Sequence, residues 1–174
     1  GVLFSLKFDY GTQRNVGPEY LLKEDSLVSK IKVTRLTGQL QFLLQFWKRQ
    51  VLSMDFHTVF IGFQNQPVRL PDMFWFGGAT TIRGYREQQF FAQRVGWVNT
   101  EYRFFLGLRS NFFVFTDAGY FSREVPARTE QFVLGYGVGI RFPVPLGMLQ
   151  VDYGLAKGLT FREGKIHFRV VNTF

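Results

Sequence analysis

The chain has no cysteine, which rules out disulfides, thiolate metal sites and a cysteine nucleophile. Histidine is almost as scarce, with His57 and His167 the two present. Neither sits in a cluster of further ligands, so no metal site and no cofactor are expected. Apolar runs of about eighteen residues, which a spanning helix needs, do not occur. Helical periodicity is nearly missing as well. Residues 1–20 show no signal-peptide pattern, because Lys7, Asp9 and Arg14 interrupt every apolar stretch. A mature form, a fragment or a soluble protein would each read this way.

Phenylalanine is abundant. It supplies 22 of 174 residues, aromatics make up 18% and apolar residues 46%. So much Phe asks for a large apolar surface, either a core or a lipid face. The formal charge of +8 admits three partners: nucleic acid, anionic headgroups or a charged channel interior. Nucleic acid is not expected, because no basic helix or aromatic stacking platform supports it.

The periodicity is two, again and again. Val2, Phe4, Leu6, Phe8 and Tyr10 alternate with Leu3, Ser5, Lys7 and Asp9. Leu40, Phe42 and Leu44 alternate with Gln39, Gln41 and Gln45, and Met54, Phe56 and Phe60 with Ser53, Asp55 and His57. The same pattern returns around Tyr102, Tyr136, Val151 and Phe168, and less cleanly from Asn111 to Phe121. In a soluble sandwich the apolar faces would meet in a core. In a membrane barrel they meet lipid while the polar faces line the lumen. Two features favour the barrel. The segments run to about ten residues, enough to cross a bilayer at a tilt. Short turns at Lys48–Gln50, Gly107–Ser110 and Pro143–Gly147 also alternate with long connections at Gly11–Lys30, Phe63–Gln93, Ser122–Glu130 and Lys157–Gly164. Short periplasmic turns and long outer loops are what outer-membrane barrels show.

The expected fold is therefore all-β: a transmembrane antiparallel barrel of about eight strands, one domain over residues 1–174, with a long loop at 63–93. The last strand carries Ile166, Phe168 and Val170 outward and ends on Phe174. This resembles the C-terminal targeting signal of bacterial outer-membrane barrels, although Asn172 departs from it. Outer-membrane lipid and lipopolysaccharide are the expected surroundings, and they also suit the basic surplus.

The 63–93 connection is too long for a plain hairpin and too rich in aromatics for disorder. Gly77-Gly78 followed by Ile82-Arg83-Gly84-Tyr85 resembles the Gly-Gly…Val-Arg-Gly-Phe/Tyr signature of the BamA/TamA/FhaC superfamily, the bacterial surface antigen family. Gly96 and Glu101-Tyr102 resemble that family's next strand. Phe115-Thr116-Asp117-Ala118-Gly119 resembles its Phe-x-Asp-x-Gly strand. Residues 135–143 and 148–155 are similar to its last strands. The resemblance implies an integral barrel of the bacterial outer membrane that assists insertion or translocation of proteins, without bond chemistry, alongside other subunits or copies of itself. It also implies that the loop folds back into the lumen, with Arg83 paired to acidic residues of the wall.

Strand parity agrees. Glu101 shares a polar face with Asn99 and Arg103. If Asp117 points inward, Val114, Thr116, Ala118 and Tyr120 point to lipid. Gly135, Gly137 and Gly139 project nothing inward and leave room for the loop. Asp117 is the expected direct partner of Arg83, with Glu101 behind it, in a wet lumen that softens the cost of losing either. The departures are clear too. Family members carry about twice as many strands, preceded by POTRA domains, and no POTRA-like segment is seen here. A reduced anchoring barrel within a larger complex is the alternative reading. Ser53, Asp55 and His57 could suggest a hydrolase, but alternate residues of one strand stand about 7 Å apart, and no nucleophile elbow is present. No catalytic residues are expected.

Overall fold

The computed structural model describes residues 1–14, 30–64 and 67–171. Its main sheet has eight antiparallel strands. In chain order the strands are β1 (Val2–Arg14), β2 (Lys30–Trp47), β3 (Gln50–Phe63), β4 (Phe74–Phe76), β5 (Phe90–Ala92), β6 (Arg94–Phe105), β7 (Asn111–Arg123), β8 (Thr129–Val144), β9 (Gly147–Ala156) and β10 (Lys165–Val171). The sheet order is β1-β2-β3-β6-β7-β8-β9-β10, a meander in which each strand pairs with the next. β4 and β5 pair with each other inside the long connection, with Trp75 opposite Phe91.

Three strands precede the motif loop and five follow it, as the period-two pattern predicts. The turns after β2, β6 and β8 lie at one end of the sheet and the connections after β1, β3, β7 and β9 at the other. The connection expected to be long at Ser122–Glu130 shortens to five residues, the same length as the turn after β6, because pairing of β7 with β8 runs into it. Most strands of the main sheet outrun the ten residues read from sequence, β2 with 18 and β8 with 16, while β9 has 10 and β10 has seven. Pairing therefore continues past the length a bilayer requires.

Alternation sorts the side chains as expected. Phe56, Phe104, Tyr136, Val138 and Phe168 lie exposed on the outer face, with Phe42 and Val151 on the same face by register. Val114 and Tyr120 are also exposed and outward, so Asp117 does point inward. Phe168 and Val170 face outward on β10. Phe174, the end of the expected targeting signal, lies outside the described residues.

Closure differs from the expectation. Among the described residues no ladder joins β1 to β10, so the eight strands form an open, barrel-like arc. The inner face is also more crowded than that of a small barrel. A closed eight-stranded barrel has an interior just wide enough for its own side chains. Here the inner face also holds a folded loop with its own apolar core. Val59, Ile61, Val95, Trp97, Phe121 and Val133 of the wall pack with Val68, Met73, Phe76, Ile82 and Ala92 of the loop. The inner face therefore packs a loop in addition to its own side chains.

Candidate functional site

The plug has two tiers. Toward the long connections, contact between loop and wall is apolar. Phe76 meets Phe121 edge-on at 5.2 Å between ring centres, and Phe90 lies 5.5 Å from the same ring. Ile82, fully buried, anchors this tier directly before Arg83. Gly119 makes room for it, since a Cβ there would stand 2.5 Å from the Ile82 methyl. The loop's own turn is tight. Gly77 and Gly78 have φ of +111° and +95°, which favours glycine. The Gly77 amide donates to Thr81 Oγ1 at 2.7 Å, and the Ala79 amide donates to Glu87 Oε1 at 2.6 Å.

Beneath that tier Arg83 is 3% exposed and enters a carboxylate cage. Its backbone amide and its Nε both donate to Asp117 Oδ2, at 2.9 and 2.8 Å. Nη2 donates to Asp117 Oδ1 at 2.8 Å. Nη1 donates to Glu101 Oε1 at 2.7 Å. Glu101 thus touches the guanidinium directly instead of standing behind Asp117. Asp152 of β9 approaches Nη1 at 3.8 Å. Burial alone would disfavour the cation, but hydrogen bonds and charge from Asp117, Glu101 and Asp152 outweigh it and raise the Arg83 pKa. The guanidinium carbon stands 3.7 Å from the Phe115 ring centre, a cation–π contact between two buried groups. Arg83 nonetheless lines a polar chamber beside the cage, together with Glu101.

The wall glycines divide their roles. A Cβ at Gly135 would run into the Arg83 carbonyl, so this glycine admits the loop backbone itself. Gly137 and Gly139 instead face the Phe115 and Phe113 rings, leaving space for the aromatic floor under the guanidinium. Gly84 has φ +89° and packs against the β9 backbone at Leu155 and Ala156. Tyr85 reaches β8, donating to the Leu134 carbonyl at 3.3 Å. Burial pushes its hydroxyl pKa up, opposed by that hydrogen bond.

Several contributors were not singled out by the sequence. Arg103 Nε donates to Glu101 Oε2 at 2.7 Å, and Arg141 Nη2 reaches the same oxygen at 3.3 Å. Gln150 accepts from Arg141 Nε at 2.9 Å and from Arg169 Nη2 at 2.8 Å, and donates to Asp152 Oδ2 at 2.7 Å. His167 accepts from the Gly84 amide at 3.2 Å. All of these occupy inward positions of the alternation. Parity could have nominated them, but parity does not say which inward residues meet.

A polar chamber of about 190 Å³ adjoins the cage, lined in part by Asp55, His57, Asn99, Arg103 and Arg169. Ser53 Oγ and Asp55 Oδ1 make no hydrogen bond among the described residues. The His57 ring stacks on Trp97 at 4.7 Å. These three residues are not linked as a nucleophile and base would be. Among the described residues, no group of three or more acidic or histidine side chains could hold a metal ion. No helix there is long and apolar enough to cross a membrane. What the arrangement does is hold a loop against the wall.

A model of the Omp85 superfamily domain matches residues 1–174. Outer envelope protein 39, chloroplastic, of Arabidopsis thaliana is 35% identical over 109 residues, covering 57% of this chain and 29% of that protein. The match spans less than a third of the relative's own length.

Proposed function

The chain belongs to the Omp85 superfamily of outer-membrane barrels, and on that premise we propose that it assists the insertion or translocation of proteins at the outer membrane. The observation that carries this reading is the seated loop. Arg83, Asp117 and Glu101 form a buried charged cage at the positions the family motif marks. The proposed work is mechanical: the loop plugs and braces the arc, and the open edges at β1 and β10 are where other strands can pair. A bacterial outer membrane is the proposed compartment; the relative's name offers the chloroplast outer envelope as the rival. Outer-membrane lipid, lipopolysaccharide and further protein subunits or copies are the proposed partners.

A second reading has its own support. The eight strands leave both edges unpaired among the described residues, and an arc with two free edges suits a structural or anchoring subunit of a larger complex. One experiment separates the two. The purified chain is placed in vesicles of outer-membrane lipid, and the folding rate of an unfolded barrel substrate is followed. Acceleration that Asp117→Asn abolishes supports the insertase reading. No acceleration, with the chain itself folded, leaves the anchoring reading.

A further inference from the structure

The loop is attached to more than the two strands that hold Arg83. His167 projects inward from β10 and is 7% exposed. Its Nε2 accepts a hydrogen bond from the Gly84 amide at 3.2 Å. An accepting Nε2 carries no proton, so the ring proton sits on Nδ1. Nδ1 faces Glu87 Oε1 at 3.6 Å. Glu87 lies three residues further along the same loop, and its Oε1 also accepts from the Ala79 amide. One imidazole therefore contacts the loop at Gly84 and faces it again at Glu87. On β9, Asp152 lies opposite His167 in the ladder and approaches Arg83.

β10 needs such an attachment. It has seven residues, pairs with β9 alone among the described residues, and is an edge strand, which frays most easily. Apart from the ladder, its inward ties are the His167 contacts and the hydrogen bond from Arg169 to Gln150. We propose that His167 is a positioning residue that ties the motif loop to β10, so that withdrawal of the loop and release of β10 from β9 occur together. The inference rests on this geometry and not on the proposed function, and its test reads structure alone.

The test is hydrogen–deuterium exchange on the full chain in detergent micelles, following peptides over residues 79–88 and 165–171. His167→Ala removes the acceptor for Gly84. Losing one hydrogen bond of this kind should speed exchange roughly tenfold in both peptides. His167→Gln keeps an acceptor at about the Nε2 position and should restore slow exchange in both. The reverse arm is Arg83→Lys, which loosens the loop without touching β10 and should still speed exchange in 165–171. Should His167→Ala fail to fold, Glu87→Ala replaces it, with faster exchange expected in both peptides. Acceleration of the loop without β10, or of β10 without the loop, overturns the tie. So does a Gln variant that behaves like Ala, or an Arg83→Lys chain whose β10 exchanges at the original rate.

Discussion

Asp117 receives three hydrogen bonds from Arg83: one from its backbone amide and two from its guanidinium. The carboxylate therefore fixes where the loop's main chain lies as well as which side chain it carries. A lysine could supply charge but not the paired fork. This bond set should dominate the stability of the plug.

Truncating one partner of a desolvated pair leaves the other charge buried and costs about 3–5 kcal/mol. A wet lumen would have kept the loss near 1–3 kcal/mol, the range for a charged hydrogen bond. With Arg83 3% exposed and Asp117 fully buried, the larger range applies. Arg83→Ala and Asp117→Ala should each fall in it, and the double variant should cost far less than their sum. Urea unfolding in lipid vesicles measures the cycle. A coupling near zero would show that the cage does not hold the loop.

Much of this was readable from residue order. The period-two pattern marks the strands, their faces and most of the alternation of short and long links, because a pleated strand sends neighbouring side chains to opposite faces. The Ile82-Arg83-Gly84-Tyr85 motif with Asp117 and Glu101 marks the cage. The depth of burial of Arg83 was not readable, since it arises from the Phe113 and Phe115 rings and the apolar tier above, and only assembly brings these together. Closure was not readable either. The number of strands says how many there are, but not whether the first pairs with the last. His167 shows the same limit: alternation turns it inward, but its partner Gly84 is 83 residues away in the chain.

Gly84 should not tolerate a side chain. A Cβ there would lie 2.6 Å from the Leu155 carbonyl carbon, and φ is +89°. Left-handed strain of about 1–2 kcal/mol adds to overpacking of about 1–3 kcal/mol. Gly84→Ala should unseat the loop and open Arg86 to trypsin while the sheet stays folded. Gly96→Ala is the control. Its Cβ would stand 3.7 Å from the His57 carbonyl oxygen, an ordinary contact, and the cleavage pattern should not change. Equal protection of both variants would refute the steric argument.

Val138 tests the lipid face. It sits outward on β8, opposite Val114 on β7 and Tyr153 on β9, and is 43% exposed. Arginine at the midplane of a membrane barrel costs about 2–4 kcal/mol. Val138→Arg should therefore lower folding stability in vesicles by that amount. A spin label at the same position should report lipid. A water-like signal, or no loss with Arg, would move Val138 off the membrane face.

The last prediction concerns which end faces out. The connections after β1, β3 and β9 are long, those after β2 and β8 are two-residue turns, and those after β6 and β7 have five residues each. Outer-membrane barrels place short turns in the periplasm and long loops outside. The plug enters from the long-connection end, so that end should face the cell exterior. The natural absence of cysteine makes this easy to test with single reporters. Arg128 stands between β7 and β8 with its side chain 83% exposed, and Arg109 stands exposed in the turn between β6 and β7. A membrane-impermeant maleimide on intact cells should label Arg128→Cys. Arg109→Cys should react only after the outer membrane is breached. Labelling in the opposite order would invert the barrel and place the loop's entrance on the periplasmic side. The Arg83 cage would stay as it is, but the loop would then close the lumen from within.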